Sequence, residues 1–314
     1  MAQPTNTFDT YDSVGIREDL QDVIYSIAPT DTPFMSSAGR EAVRNTLHEW
    51  QTDSLAAAAT NNAVIEGDEA TLDAVTATAR LSNSTQIMDK TVVITGTQEA
   101  VDKAGRASEL AYQIAKKSKE LKRDMEATLL GNQAEVTGSA SAARKFGSIN
   151  SWIATNDVFN AADGASGSAG NTARTDGTQV ALTEANLKTV IKNVWNSGGN
   201  PSVIMVGPFN KQKISGFTGG STRFDASEDK TLYTSIDVYS SDFGDLEVVP
   251  NRFSRDRDLH VLDMDFWSLG FLRDFTMHEL SKTGDSEKRQ MLVEFTLISR
   301  NEGASGGVYD LTTS

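Results

Sequence analysis

Small and apolar residues recur at alternating steps of three and four through one long stretch of the chain: Ala104, Ala107, Ala111, Ile114, Ser118, Leu121, Met125 and Thr128. This spacing marks one helical face and predicts a helix from Thr95 to Asn132. Thr95 with Gln98 three residues on fits a capping box, and Gly131-Asn132 fits a stop. No Pro interrupts the stretch, and Gly105 is its one internal glycine after the start. At about 1.5 Å per residue such a rod reaches roughly 50 Å. A compact domain of this length has a radius of gyration of about 20 Å, so a flat or extended subunit is expected.

Ahead of the helix the pattern is weaker. Residues 1–42 read as an extended arm with few apolar anchors, which is expected to pack on a neighbour. Leu20, Val23, Ile24 and Ile27 predict one short helix in it, Glu18–Ile27, ended by Ala28-Pro29. Val43–Leu55 alternates as a strand with mixed faces, and Val75–Thr95 reads as a returning strand ending in the β-branched run TVVIT. The polar, turn-rich AAAATNNAVIEGDEATLD lies between them. Together these predict a long two-stranded arm with a loose tip. A lone hairpin is marginal in water, so either another molecule or the rest of this chain must cover it.

Beyond the helix, residues 132–150 are rich in Ser, Ala and Gly around a basic spot at Arg144-Lys145. Ser148–Thr155 reads as a strand and 160–178 as a flexible, low-complexity loop. Leu187, Val190, Ile191, Val194 and Trp195 predict an amphipathic helix over Leu182–Gly198. SVIMV at 202–206 reads as a buried strand, and Pro208 opens a second helix. Phe217–Lys230 reads as a mobile loop, followed by strands near 235–240, 245–250 and 258–264. Leu269–Leu280 and Gln290–Arg300 form a hairpin around KTGDSEK, with Met291, Val293, Phe295 and Leu297 alternating. The tail NEGASGGVYDLTTS reads as loop. Helices and strands mix without a repeat, which makes the fold class α+β.

Composition narrows the classes. The 314 residues are 38% hydrophobic and contain no Cys, which excludes disulfides, zinc ribbons and thiol nucleophiles. The amino terminus shows no basic region followed by an apolar run, and no stretch approaches the ~20 apolar residues of a membrane span. A soluble chain with no membrane partner is expected. The formal charge of −14 argues against affinity-driven nucleic-acid binding, which needs clustered Lys and Arg; solubility is its plain meaning.

The candidate chemistry is thin. Gly303-Ala304-Ser305-Gly306-Gly307 matches a nucleophile pattern but has no downstream His. His48, His260 and His278 lie on separate predicted strands and read as strand-surface residues. Asp256, Asp258, Asp263 and Asp265 crowd one segment and could hold a divalent cation, though no calcium-loop glycine accompanies them. GFTGGST at 216–222 lacks the P-loop Lys. Lys116, Lys117, Lys119, Lys122 and Arg123, flanked by Glu109, Glu120, Asp124 and Glu126, read as a solvated or subunit-facing helix surface. No catalytic residue, cofactor or metal site is assigned.

Three stretches carry a resemblance: IYSIAPTDTPFMSSAGR (24–40), WIATN (152–156) and GDSEKRQMLVEFTLISRNEGASGGVYDL (284–311). With the order of arm, two-stranded loop, rod-like helix, α/β region and returning hairpin, the whole chain resembles the major capsid proteins of tailed bacteriophages, with the Hong Kong 97-like fold. The resemblance implies an N-terminal arm at 1–42 and an E-loop at 43–95. It places a spine helix and peripheral domain at 96–150, an axial domain at 151–265, and returning peripheral strands with the tail at 266–314. It implies self-assembly through pentamers and hexamers into an icosahedral head around double-stranded DNA, bound without sequence specificity. It further implies a portal, decoration proteins, and a separate scaffolding protein, because the arm lacks the scaffolding domain of some relatives. The location implied is the virion, assembled in the host bacterial cytoplasm. No residue matches a cross-linking motif. Two other readings stay open: an encapsulin-like cellular nanocompartment shell, and a metal-dependent enzyme using Asp256–Asp265.

Overall fold

The computed structural model describes residues 31–69, 72–103, 105–159, 163–217 and 238–313. The helix expected at Glu18–Ile27 and most of the loop expected at Phe217–Lys230 lie outside them. In chain order the elements are α1 (Pro33–Ser37), β1 (Gly39–Ala42), β2 (Leu47–Thr52), β3 (Ala79–Ser84), β4 (Gln86–Thr95), α2 (Gly96–Ala100), α3 (Glu109–Leu129), α4 (Ile149–Trp152), β5 (Asp157–Phe159), α5 (Glu184–Asn196), β6 (Val203–Val206), α6 (Pro208–Ser215), β7 (Val238–Ser241), β8 (Gly244–Pro250), β9 (Leu259–Leu262), β10 (Trp267–Glu279), β11 (Ser286–Ser299) and β12 (Gly306–Tyr309). The described strands form a four-stranded sheet β1-β10-β11-β4, a six-stranded sheet β5-β12-β9-β6-β8-β7, and the pair β2-β3. The α+β expectation holds.

The four-stranded sheet is built on the expected hairpin, β10 antiparallel to β11 from Trp267↔Ser299 to Glu279↔Arg289. Met291, Val293, Phe295 and Leu297 are buried as their alternation predicts. They share one core with Leu121, Met125 and Leu129 of α3; each fully buried Leu or Phe stabilises by roughly 1.5–3 kcal/mol. The opposite face of β11 is buried too, at Glu294 and Thr296. Glu294 is tolerated there because Arg144 (2.6 Å), Arg273 (2.7 Å) and Thr85 (2.9 Å) all donate to it.

The single long helix does not form. The segment 95–132 splits into α2 and the 21-residue α3, which at ~1.5 Å per residue is about 31 Å long rather than 50 Å. Gly105 sits between them at φ +74°, a left-handed backbone that glycine takes without the penalty other residues pay. Each of the two helices also has its own N-terminal cap. Thr95 Oγ1 accepts from Gln98 N (3.4 Å), which closes the expected cap on α2 alone. Ser108 Oγ accepts from Ala111 N at 3.2 Å, and the Glu99 carboxylate accepts from Glu109 N and Leu110 N at 3.0 and 3.3 Å. The caps satisfy amides that a helix start leaves orphaned. The predicted stripe is buried only from Leu121 onward; Ala111 is exposed and Ile114 half-buried.

In the six-stranded sheet β6 lies between β9 and β8, so both its edges are paired, as a continuous apolar run requires. Helix α5 covers one face through Leu187, Val190, Ile191 and Val194, which join a second core with Ile204, Val248 and Val261. Trp195 departs from the expectation: it is 53% exposed and rests on Phe243, ring centroids 5.2 Å apart. The tail is not loop. Gly306–Tyr309 forms β12, inserted between β5 and β9; its run of glycines hides the strand, because Val308 and Tyr309 are its only large side chains. Ser148–Thr155 is not a strand either: four of its residues form α4, with Ile149 and Trp152 buried.

The stretch read as one strand from Val43 to Leu55 divides between two sheets. Val43 follows β1, and among the described residues β2 pairs only with β3. The returning strand is likewise cut at Thr85 into β3 and β4, so the hairpin proper is six residues on each side.

Candidate functional site

The acidic segment supplies no ligand set. Asp256 and Asp265 are exposed, whereas Asp258 and Asp263 are buried and already committed. Asp263 accepts from Asn200 N at 3.1 Å and from Asp265 N at 3.3 Å. Asp258 accepts from Asn150 Nδ2 at 2.8 Å and faces Arg255 at 3.2 Å. Among the described residues no three His, Asp or Glu side chains converge where they could hold a metal ion. Ser305 is buried, and its oxygen accepts from Trp267 Nε1 (2.9 Å) and Asp263 N (3.3 Å). Both neighbours are donors, so that contact set offers no base to take its proton.

The histidines separate by environment. His278 is exposed, and His48 is half-buried against Trp50, ring centroids 5.7 Å apart. Burial pulls the His48 pKa down, against the opposing charge of Glu41. His260 overturns the surface expectation: it is fully buried in β9. Burial first, then Arg174 and Arg255, push its pKa to about 3, so it is neutral at physiological pH. Asn150 Nδ2 donates to Asp258, which leaves Asn150 Oδ1 to accept from His260 Nε2 at 2.7 Å and assigns the Nε2–H tautomer.

That histidine belongs to a charged junction the sequence did not reveal. Arg174, its side chain wholly buried, donates to Asp157 (2.9 Å) and to Ile153 O (3.1 Å). Its guanidinium carbon lies 3.3 Å from the ring centroid of Tyr309 and 4.9 Å from that of Phe159. Arg257 bonds Asp310 at 2.7 Å, and Asp310 accepts from Gly177 N at 2.7 Å. Burial raises Asp258 to about 6 against the counter-pull of Arg255 and Arg174, and burial also raises the Tyr309 phenol. Shifted titration can mark an active site. Here Arg174, Asp258, His260 and Tyr309 are each at most 3% exposed, so a substrate does not reach them. The junction pins the loop at 163–178 to β12.

That loop is therefore packed, not flexible as its composition predicts. A side chain at Gly170, at φ +79°, would meet the Trp152 ring at 2.8 Å, and one at Gly167 would meet the Ser151 backbone at 2.6 Å. The only available signal was Arg174 itself, a long cation amid small residues.

The open surface lies at the other end of the hairpin. Its base is fixed: Trp50 Nε1 donates to Ser299 O (2.9 Å), Trp50 packs on Trp152 (5.4 Å), and Asn83 Nδ2 donates to Leu297 O (2.7 Å). Beyond Thr52 every described residue to Thr78 is exposed. Leu55 (99%), Val64 (81%), Ile65 (79%), Leu72 (98%) and Val75 (96%) stand in solvent. The tip's charges are Asp53, Glu66, Asp68, Glu69 and Asp73, with no Lys or Arg between Arg44 and Arg80. A cavity of about 240 Å³ opens at the base, lined among others by Thr52, Leu81 and Arg300. None of these five apolar side chains is covered by the described residues of its own chain.

A family model described as SU10 major capsid protein matches residues 3–312. The major capsid protein of Escherichia phage Phieco32 is 29% identical over 345 residues, covering 98% of each chain. Among solved structures, the capsid of a native GTA particle superimposes with a TM-score of 0.65 at 12% identity, covering 96% of this chain and 98% of its own. The capsid asymmetric unit of cyanophage A-1(L) gives 0.64 at 12% identity, covering 98% and 99%. At such identities these two show a shared fold.

Proposed function

The chain belongs to the SU10 major capsid protein family, and from that premise we propose how its parts build a shell. It is a major capsid protein of a tailed phage, forms an icosahedral capsid, and carries the Hong Kong 97-like fold. The family decides between the readings that were open: a phage head, in place of a cellular nanocompartment or a metal-dependent enzyme.

The finer assignment is ours. Residues 1–42 act as an arm and 43–95 as an E-loop reaching a neighbouring copy. Residues 96–150 supply the spine helix, here α3, and part of a peripheral domain completed by β10 and β11 within 266–314. Residues 151–265 form the axial domain at the centre of pentamers and hexamers, to which the tail strand β12 returns. The protein works without catalysis, and assembles in the host cytoplasm with a separate scaffolding protein and a portal. Decoration proteins bind outside, and double-stranded DNA is packaged inside without sequence-specific contacts. The observation that carries this reading is the hairpin tip, which exposes Leu55, Val64, Ile65, Leu72 and Val75 beyond a rigid base. Obligate interfaces commonly bury more than about 2,000 Å², and an extended loop supplies such area without a larger private core.

Electron microscopy of the expressed protein tests it: icosahedral shells, tubes or capsomer rings are expected, and a stable monomer with a soluble catalytic activity would overturn it. The acidity has a role in the same reading, since a negative inner wall releases packaged DNA. Tight binding of empty shells to duplex DNA at ~0.15 M salt, where screening acts over about 8 Å, would contradict that role.

A further inference from the structure

One buried carboxylate has no cationic partner among the described residues, and it stands where three parts of the subunit meet. Glu126 in α3 is wholly buried. Its Oε1 accepts from Phe34 N at 2.8 Å and its Oε2 from Met35 N at 3.0 Å. Asn251, in the segment after β8, donates its Nδ2 to Oε1 at 2.7 Å. Asn251 is itself held: its N donates to Val206 O of β6 (2.9 Å), and its Oδ1 accepts from Phe253 N (2.9 Å). The amides of Phe34 and Met35 are the orphan donors at the start of α1, which a carboxylate satisfies in charge-assisted bonds. Phe34 then sits edge-on to Trp267 at 6.4 Å. Burial raises the Glu126 pKa, while the three donors hold it down.

A carboxylate buried without a cation is a costly way to fill a core. A Leu would pack the same helix face but could not accept three hydrogen bonds of fixed direction. We infer that Glu126 is a positioning residue for assembly. It clamps the root of the N-terminal segment at α1 to the spine helix and to the six-stranded sheet, and so fixes where and at what angle the preceding chain leaves the subunit. On the proposed arm role of residues 1–42, this fixed root at α1 is what the arm's contacts with a neighbouring copy would be set from. The inference rests on the capsid reading, and it adds a residue-level determinant of shell geometry.

The test uses the full-length chain expressed with the other structural proteins of its virus. Glu126→Gln keeps size and shape but replaces one acceptor oxygen by an NH₂ group, so at least one α1 amide loses its partner. Asn251→Ala removes the third leg and leaves both α1 bonds. Hydrogen exchange should show peptides covering 33–38 exchanging about tenfold faster or more in Glu126→Gln, with β10 and β11 peptides within about twofold of the parent. In Asn251→Ala the acceleration should centre on 251–253. Closed particles of the parental diameter should fall in Glu126→Gln relative to Asn251→Ala, with open or odd-sized particles replacing them. Unchanged exchange at 33–38, or equal acceleration throughout the core, would overturn the clamp. Parental particles in parental yield from a subunit with a loosened 33–38 would overturn its role in geometry while leaving the capsid assignment intact. Loss of every particle from the unsubstituted chain would instead strike the capsid reading.

Discussion

Two loops of this chain read alike and behave in opposite ways. Residues 163–178, DGASGSAGNTARTDGT, contain no large apolar side chain and are nonetheless packed against Trp152, Tyr309 and Asp310. Residues 53–78 contain Leu55, Val64, Ile65, Leu72 and Val75 and stand in solvent wherever they are described. Hydrophobicity thus points the wrong way for both. The first loop is held by hydrogen bonds and by glycine's freedom to approach other backbones, which need no apolar residue. The second keeps apolar residues that its own subunit does not use. A subunit whose stability is completed in a lattice is expected to show this inversion: private anchoring where the chain must be rigid alone, displayed apolar surface where it must be rigid together.

Removing the private anchor should have the largest effect on the isolated subunit. Arg174→Ala leaves the half-buried Asp157 without its cation and strips the face of Tyr309. Breaking a buried pair from one side costs about 3–5 kcal/mol, and denaturant unfolding of unassembled subunits should show a loss of that order. A loss below about 1 kcal/mol would mean the loop is only draped over the junction.

The next effect is a pH dependence within the same junction. Asp258 titrates near 6 in the folded chain against an ordinary value of 3.8. Its folded pKa is raised, so its contribution to stability is complete below about pH 3.8 and is lost as pH rises through about 6. The shift corresponds to ~3 kcal/mol at most. The groups facing it are Arg255, Arg174, Asp176 and Asn150. Unfolding free energies of the parent and of Asp258→Asn, taken at pH 7, 6, 5 and 4, should diverge as pH falls, the parent gaining on the variant. Parallel curves would place Asp258 in a more open site than its contacts imply. Gly170→Ala comes third, at about 1–3 kcal/mol, since alanine must take φ +79° and meet Trp152.

The sequence made one side of the comparison legible. Period 3.6 found α5, period 2 found β11, Pro208 found α6, and the order of elements found the family resemblance. What stayed hidden were partners far along the chain. Glu126 reads as one more charge on a basic helix face, yet its partners lie 91, 92 and 125 residues away. His260 reads as a strand-surface residue because Asn150, which holds it, is 110 residues upstream. The strand at Gly306–Tyr309 is defined by pairing with β5 and β9 rather than by its own glycines. The helix break near Gly105 was local and lay in plain view, but a pattern of alanines continued across it and outweighed the glycine.

The hairpin tip should give the smallest effect on the lone subunit and a decisive one on assembly. Leu72 and Val75 are almost fully exposed, so Leu72→Asp with Val75→Asp removes no contact within the chain. The unfolding midpoint of the unassembled subunit should stay where it was, since substitutions away from buried features rarely move it. Assembly should fail, because each copy would bring two further carboxylates, on a tip with no cation of its own, to a surface that must be desolvated. Sedimentation of the expressed protein separates the two outcomes. Intact midpoints with capsomer-sized or smaller species confirm the inversion between the loops. A lowered midpoint would mean that the tip packs on its own subunit, the alternative that the strand pattern alone left open. Full shells at parental yield would mean that these apolar residues face solvent in the assembled state as well, and the covered surface would then have to be sought at the hairpin base, around Leu81 and Arg300.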